Sequence, residues 1–305
     1  MSQPSPESLP LQPWGAEDFT VVSWPEQDWH AGWNSRVWLL ERDGERAVLK
    51  AVPEHLPTRL RPGLEAAEIV EAAGIPAGAP YRTTGGDVAA DADDWTWVLL
   101  RYVPGRSASA ADHDDLALAG RVLGRVHTAL SDVPETPETS VFTQRDWLTM
   151  EQPFLVGDNA WIPAAIEAGF AAMPADLSTG LIHGDPQIND FRVGPEATGL
   201  IDWAEVLHAP YVFDLGILLS TLGAGVDPEP LLAAYLSAAP VKAAEFAYLP
   251  EMMKIRAAIE GWIFASRDAF GIELGDSSYT NAEIVQLARG RYLAAEALAP
   301  DHFLR

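Results

Sequence analysis

The apolar positions change period once along the chain. From Phe19 to Tyr102 they come in short runs: Phe19-Thr20-Val21-Val22-Ser23-Trp24, Val37-Trp38-Leu39-Leu40, Ala47-Val48-Leu49, and Trp95 through Tyr102. Short runs rich in β-branched and aromatic residues predict strands. The second and third flank a polar stretch holding Asp43-Gly44, which predicts a hairpin because Gly accepts the positive φ of a tight turn. One helix interrupts the series, 63–74, stopped by Gly74 and Pro76. After Val103-Pro104-Gly105 the spacing becomes helical. Leu116, Ala119, Leu123, Val126 and Leu130 form one stripe, and Met252, Ile255, Ile259 and Trp262 another. Asp227-Pro228 opens a helix through Leu236, and Thr280-Asn281-Ala282-Glu283 is a capping box before Ile284 and Leu287. Residues 131–145, rich in Pro, Ser, Thr and Glu, read as a loop. The pattern predicts an α+β chain in two lobes. A Pro-rich, loosely docked arm (1–16) precedes a small antiparallel-sheet lobe (17–103), and a larger, mainly helical lobe (104–305) follows.

Residues 181–203 break the helical pattern. Leu181-Ile182 leads into His183-Gly184-Asp185. Arg192-Val193 and then Gly199-Leu200-Ile201 lead to Asp202-Trp203, with Asn189 and Asp190 between and Gly194-Pro195 turning the chain. This reads as a loop followed by a β-hairpin, with oxygen ligands gathered at one end. The arrangement suits phosphoryl transfer. One carboxylate orients an acceptor hydroxyl and takes its proton, while a second, with one more oxygen ligand, holds Mg²⁺ on the phosphates.

His183-Gly184-Asp185 followed by Ile201-Asp202-Trp203 resembles the signature of the aminoglycoside phosphotransferase and choline kinase-like family. Those are small-molecule kinases with a protein-kinase-like two-lobed fold. The resemblance implies that Asp185 is catalytic, that Asp202 holds Mg²⁺, and that Lys50 reaches the α- and β-phosphates. A carboxylate of the 63–74 helix then pairs with Lys50; Glu65 is chosen over Glu68 on its spacing from Gly74-Ile75-Pro76. Asn34 and Ser35, just ahead of a strand, offer main-chain N–H groups to phosphate. Arg101 to Val103 meet adenine through their main chain. Asp214, in Phe213-Asp214-Leu215-Gly216, matches an aspartate that fixes the catalytic loop, and His183 braces that loop by hydrogen bonds. The family pattern has an Asn five residues after the catalytic Asp. This chain has Asp190 there and Asn189 one place earlier. Three readings stay open: Asp190 ligates Mg²⁺, Asn189 takes the role through a one-residue shift, or the site has lost its metal and binds without catalysis.

The net charge of −24 argues against a general nucleic-acid binder. It is compatible with a cationic acceptor such as an aminoglycoside, and equally with a solubility feature. The absence of cysteine removes disulfides, thiolate catalysis and Cys-ligated zinc. No basic leader and no long apolar span are present, so the chain reads as cytoplasmic, where ATP and Mg²⁺ are available. No G-x-S-x-G, H-E-x-x-H or P-loop occurs. The expectation is an ATP- and Mg²⁺-dependent phosphotransferase, with GTP as an alternative donor, acting on a small-molecule hydroxyl. No nucleic-acid, membrane or protein partner is implied. The alternative is a catalytically silent kinase-like module that binds a nucleotide, small ligand or protein partner.

Overall fold

The computed structural model describes residues 9–24, 35–54, 59–223, 225–272, 279–299 and 301–304; Asn34 lies outside them. The chain divides into two compact units, 1–108 with 189–205 and 109–188 with 206–305.

The first unit contains β1 (Thr20–Val22), β2 (Arg36–Arg42), β3 (Glu45–Pro53), α1 (Leu60–Ala72), β4 (Ala90–Ala92), β5 (Trp95–Arg101) and β6 (Arg106–Ser107). From further along the chain it also takes β8 (Phe191–Val193) and β9 (Thr198–Leu200). An antiparallel sheet runs in the order β1-β2-β3-β5-β4. Asp43 and Gly44, at φ 49° and 84°, make the tight turn between β2 and β3. Side chains alternate across a strand, so Ala47, Leu49 and Ala51 of β3 face one side with Trp97 and Leu99. Val52 faces the other with Val98, Leu60 and Leu64, and Lys50 shares its parity. Leu11, Ala16 and Phe19 cover the first side. Residues 9–16, expected within a loose arm, are thus held against the sheet, and Trp14 Nε1 donates to the Tyr81 carbonyl at 2.9 Å. Apolar Leu11 and Trp14 among the prolines supply the cover that α1 provides on the opposite side. The short sheet β6-β8-β9 carries the hairpin, which the sequence pattern had assigned to the helical half.

The second unit contains α2 (His113–Ala129), α3 (Val141–Leu148), α4 (Trp161–Ala171), β7 (Thr179–Ile182), β10 (Leu207–Pro210), α5 (Val212–Thr221), α6 (Glu229–Leu236), α7 (Leu249–Phe270) and α8 (Asn281–Glu296). Helix α7 packs on α4, α5 and α8, burying Met252, Ile255, Ile259 and Trp262. Helix α3 occupies part of the stretch expected to be loop. Its buried Val141 and Leu148 are two turns apart, too sparse a stripe to stand out among Thr143, Gln144, Arg145 and Asp146. Strands β7 and β10 pair antiparallel, Ile182 opposite Leu207, and β7 runs directly into His183-Gly184-Asp185. No helix among the described residues is long and apolar enough to cross a membrane.

Candidate active site

In the first unit Lys50 and Asp202 meet although they are 152 residues apart. Lys50 Nζ donates to Asp202 Oδ1 at 2.6 Å. The lysine side chain is 14% exposed and the aspartate 54%, so the cation is tucked under the sheet and the carboxylate stands in water. Asp202 has φ 72°, a left-handed conformation that Asp tolerates better than most residues. The next residue anchors it. Trp203 is buried, and its Nε1 donates to the carbonyls of Ala77 (2.9 Å) and Leu200 (3.0 Å). Helix α1 rests on the same place: a Cβ on Gly63 would fall 1.5 Å from the Trp203 carbonyl oxygen. Arg59 adds its N–H to the Ala204 carbonyl (2.9 Å) and its guanidinium to Glu205 (3.2 Å).

That seating sets the rotation of α1, which does not bring Glu65 to Lys50. Glu65 is exposed, and the lysine is paired with Asp202. The face buried by Leu60, Gly63, Leu64, Ala67 and Val70 turns Glu65 outward. Both oxygens of Glu68 bond Arg82, and Glu71 takes the Ala79 N–H and Arg101 Nε. Spacing from the helix stop carried no information about rotation. Arg101 also stacks its guanidinium 4.9 Å from the Tyr81 ring. Its N–H donates to Ala79, so that group is engaged within the fold. Val103 differs: among the described residues its main-chain N–H and C=O have no hydrogen-bond partner. Ser35 directly precedes β2.

Asn189 and Asp190 lead straight into β8. The β8/β9 register continues past the strands, with Ile201 N–H donating to the Asp190 carbonyl at 3.1 Å. Asn189 itself lies in a single 3-10 turn, Ile188–Asp190, just ahead of the strand. Asn189 is exposed and Asp190 half-buried. Among the described residues no three His, Asp or Glu side chains gather as a metal-holding group. Mg²⁺ takes one or two protein carboxylates and fills its shell with water and phosphate oxygens. Asp202 with an oxygen from Asp190 or Asn189 therefore fits a metal that arrives with a nucleotide.

The second unit holds Asp185 by a different set of groups. Asp214, in the first turn of α5, is buried and accepts the N–H groups of His183 (2.8 Å, Oδ2) and Gly184 (2.9 Å, Oδ1). His127 of α2 puts Nε2 2.9 Å from Asp214 Oδ2 and Nδ1 2.8 Å from the Tyr235 hydroxyl. Burial and the nearby Asp214 push the Tyr235 hydroxyl well above its usual pKa, so the phenol keeps its proton. The hydrogen bonds run from Tyr235 through His127 and Asp214 to the loop. The loop delivers Asp185, whose Oδ1 accepts from Gln187 Nε2 at 2.9 Å and from Arg256 of α7 at 2.7 Å. Arg256, His127 and Tyr235 were not among the candidates from sequence. Arg256 lies just off the apolar stripe of its helix, 71 residues from Asp185, and no local motif marks it.

Residues 28–247 match the model of the phosphotransferase enzyme family, APH. Over 212 residues the chain is 26% identical to the homoserine kinase of Methylobacterium nodulans, a match that takes 60% of this chain and spans only 61% of that kinase. Among solved structures it is similar to an amicoumacin kinase in complex with AMP-PNP and Ca²⁺ (TM-score 0.69, 16% identity, 94% of this chain and 90% of that one). It is also similar to a microcompartment-associated aminopropanol kinase (TM-score 0.64, 18% identity, 97% of each chain). A choline/ethanolamine kinase family protein from Mesorhizobium loti follows at TM-score 0.61 and 16% identity, over 98% of this chain and 95% of that one. At such identities the likeness to solved structures concerns the fold.

Proposed function

Because the chain belongs to the phosphotransferase enzyme family, we propose that it is a small-molecule kinase that moves the γ-phosphoryl group of ATP to an acceptor hydroxyl. The observation that carries this reading is the Lys50–Asp202 pair at 2.6 Å, joining a strand lysine to the aspartate after the hairpin. A cation and a metal-binding carboxylate held together are the pair that phosphoryl transfer needs on the donor side. Asp185 orients the acceptor hydroxyl and takes its proton. The hydroxyl oxygen bonds to Pγ, the bond from Pγ to the bridging oxygen breaks, and ADP leaves with that oxygen. Lys50 moves from Asp202 to the phosphates and offsets their charge. Asp202, with Asp190 or Asn189, holds Mg²⁺, which when bound neutralises phosphate charge. Val103 supplies main-chain groups to the base of the nucleotide. Positioning and charge stabilisation do most of this chemistry. The reaction places the protein in the cytoplasm, where ATP and Mg²⁺ are available.

The acceptor is a small alcohol. Whole-chain charge on its own favours a cation such as an aminoglycoside, through long-range steering; the relatives' names include amicoumacin, aminopropanol and homoserine. Thermal unfolding with ATP or GTP, with and without Mg²⁺, on wild type and Asp202→Ala tests the donor side. A nucleotide at about a hundred times its dissociation constant stabilises by about 2.7 kcal/mol. The expected result is a Mg²⁺-dependent shift that Asp202→Ala removes. Asp190→Ala and Asn189→Ala then tell which oxygen assists. A shift indifferent to Mg²⁺, without transfer to any acceptor, makes the protein a silent binding module. No shift with either nucleotide sinks the kinase reading.

A further inference from the structure

Arg256 sits on the one carboxylate that the reaction uses as its base. Its Nη2 is 2.7 Å from Asp185 Oδ1, and its side chain is only 16% exposed. It projects from α7, the longest helix of the second unit, which is packed on three others. Gln187 reaches the same oxygen, so Oδ1 is engaged twice and the carboxylate is turned by groups from two places in the chain. The charges near Arg256 on α7 point the same way. Glu260, one turn further on, has both oxygens 2.6 Å from Nη1 of Arg291 on α8. Glu251 is taken by Lys254 at 2.6 Å. These two carboxylates of α7 are thus each matched by a cation other than Arg256.

Resting on the kinase reading, we propose that Arg256 positions Asp185 and selects against a cation next to the reacting hydroxyl, so that the preferred acceptors are alcohols that carry an anionic group. The guanidinium is fixed by its contact with Asp185 and repels an ammonium brought to the same place, while a carboxylate on the acceptor is attracted. An aminoglycoside or a simple amino alcohol would meet an arginine where it needs an acidic partner. Whole-chain charge acts over long distances and is screened by salt; at the base itself the local pair decides.

Two measurements test this. The first needs no acceptor: slow ATP hydrolysis, in which water takes the acceptor's place at Asp185. Arg256→Gln lowers it about 10- to 100-fold with the nucleotide KM unchanged, Arg256→Lys keeps part of the rate, and added guanidinium restores part of it to Arg256→Ala. Hydrolysis within twofold of wild type in Arg256→Gln overturns the positioning role. The second compares kcat/KM for alcohols that differ by one carboxylate, L-homoserine against 3-amino-1-propanol and D-glycerate against ethylene glycol. Wild type prefers the carboxylate member by about tenfold or more, and Arg256→Gln brings the ratio to near one. Preference for the carboxylate-free member, use of neither, or a ratio unmoved by the substitution overturns the selectivity. Wild type and variants are first matched for nucleotide-induced stabilisation. A variant that has lost its fold is replaced by Arg256→Lys, and a wild type that neither binds nor hydrolyses ATP refutes the kinase reading itself.

Discussion

Asp185 and Asp202 each meet a basic side chain, and the two pairs are built for different duties. Asp202 is paired with a lysine, a compact charge on a flexible stem, and its carboxylate stands largely in water. What is rigid there is the main chain, clamped by the Trp203 indole and by the α1 backbone at Gly63. Asp185 is paired with an arginine on a long helix, and its loop hangs on the buried Asp214 carboxylate. A lysine can trade one anion for another without leaving its strand. An arginine whose fork is set by a helix keeps its partner. On the proposed kinase reading, the carboxylate that would exchange its partner for nucleotide has the exchangeable cation, and the carboxylate that would keep one orientation has the fixed one.

The sharpest way to break the contrast is Asp214→Ala. It leaves two loop N–H groups without their acceptor and His127 without its partner in a dry site, at a cost of about 3–5 kcal/mol in chemical denaturation, and turnover falls with it. A smaller loss would mean that the loop is held by groups other than Asp214. Asp185→Asn separates chemistry from support. Turnover is expected to drop by about 10²–10⁴-fold while the denaturation midpoint and nucleotide-induced stabilisation stay near wild type; retained turnover would move the base elsewhere. Gly63→Ala attacks the other clamp. Its methyl would have to displace the Trp203 carbonyl or α1 itself, for about 1–3 kcal/mol of stability and a weaker nucleotide response. The smallest effect is reserved for Glu65→Ala. With its side chain exposed, stability should change by less than about 0.5 kcal/mol and nucleotide-induced stabilisation should hold; a clear loss would restore Glu65 as the partner of Lys50 in the loaded state.

Which features could be read from sequence follows from how local their signals are. The hairpin turn at Asp43-Gly44, the strands on either side and the capping box at Thr280 are encoded within a few residues, and the structure has all of them. Asp185 and Asp202 are short apolar runs ending in an acid, equally local. Lys50 was picked out by its order along the chain, and the structure sets it 2.6 Å from Asp202. Glu65 is not brought to Lys50 because helix rotation is fixed by a tertiary contact, Gly63 on Trp203, across about 140 positions of sequence. Arg256 was invisible for a related reason. A helical stripe identifies the residues that face the core, and a charged residue beside the stripe looks like any solvated one until another segment is laid against it. Helix α3 was lost because two buried residues among polar ones do not make a period.

The discontinuity of the first unit has a consequence for its manufacture. Its last pieces, 189–205, leave the ribosome after the whole of 109–188. Until they do, β6 has no strand beside it, α1 has no Trp203 carbonyl to rest on, and Lys50 has no Asp202. At about 5–20 residues per second the wait from residue 108 to residue 205 is on the order of 5–20 s. During that interval β6 is an unpaired strand and α1 an unseated helix, the condition in which nascent chains are most exposed to mispairing. A nascent chain halted at residue 108 should therefore be cut readily by protease, and one halted with residue 205 clear of the ribosome should resist.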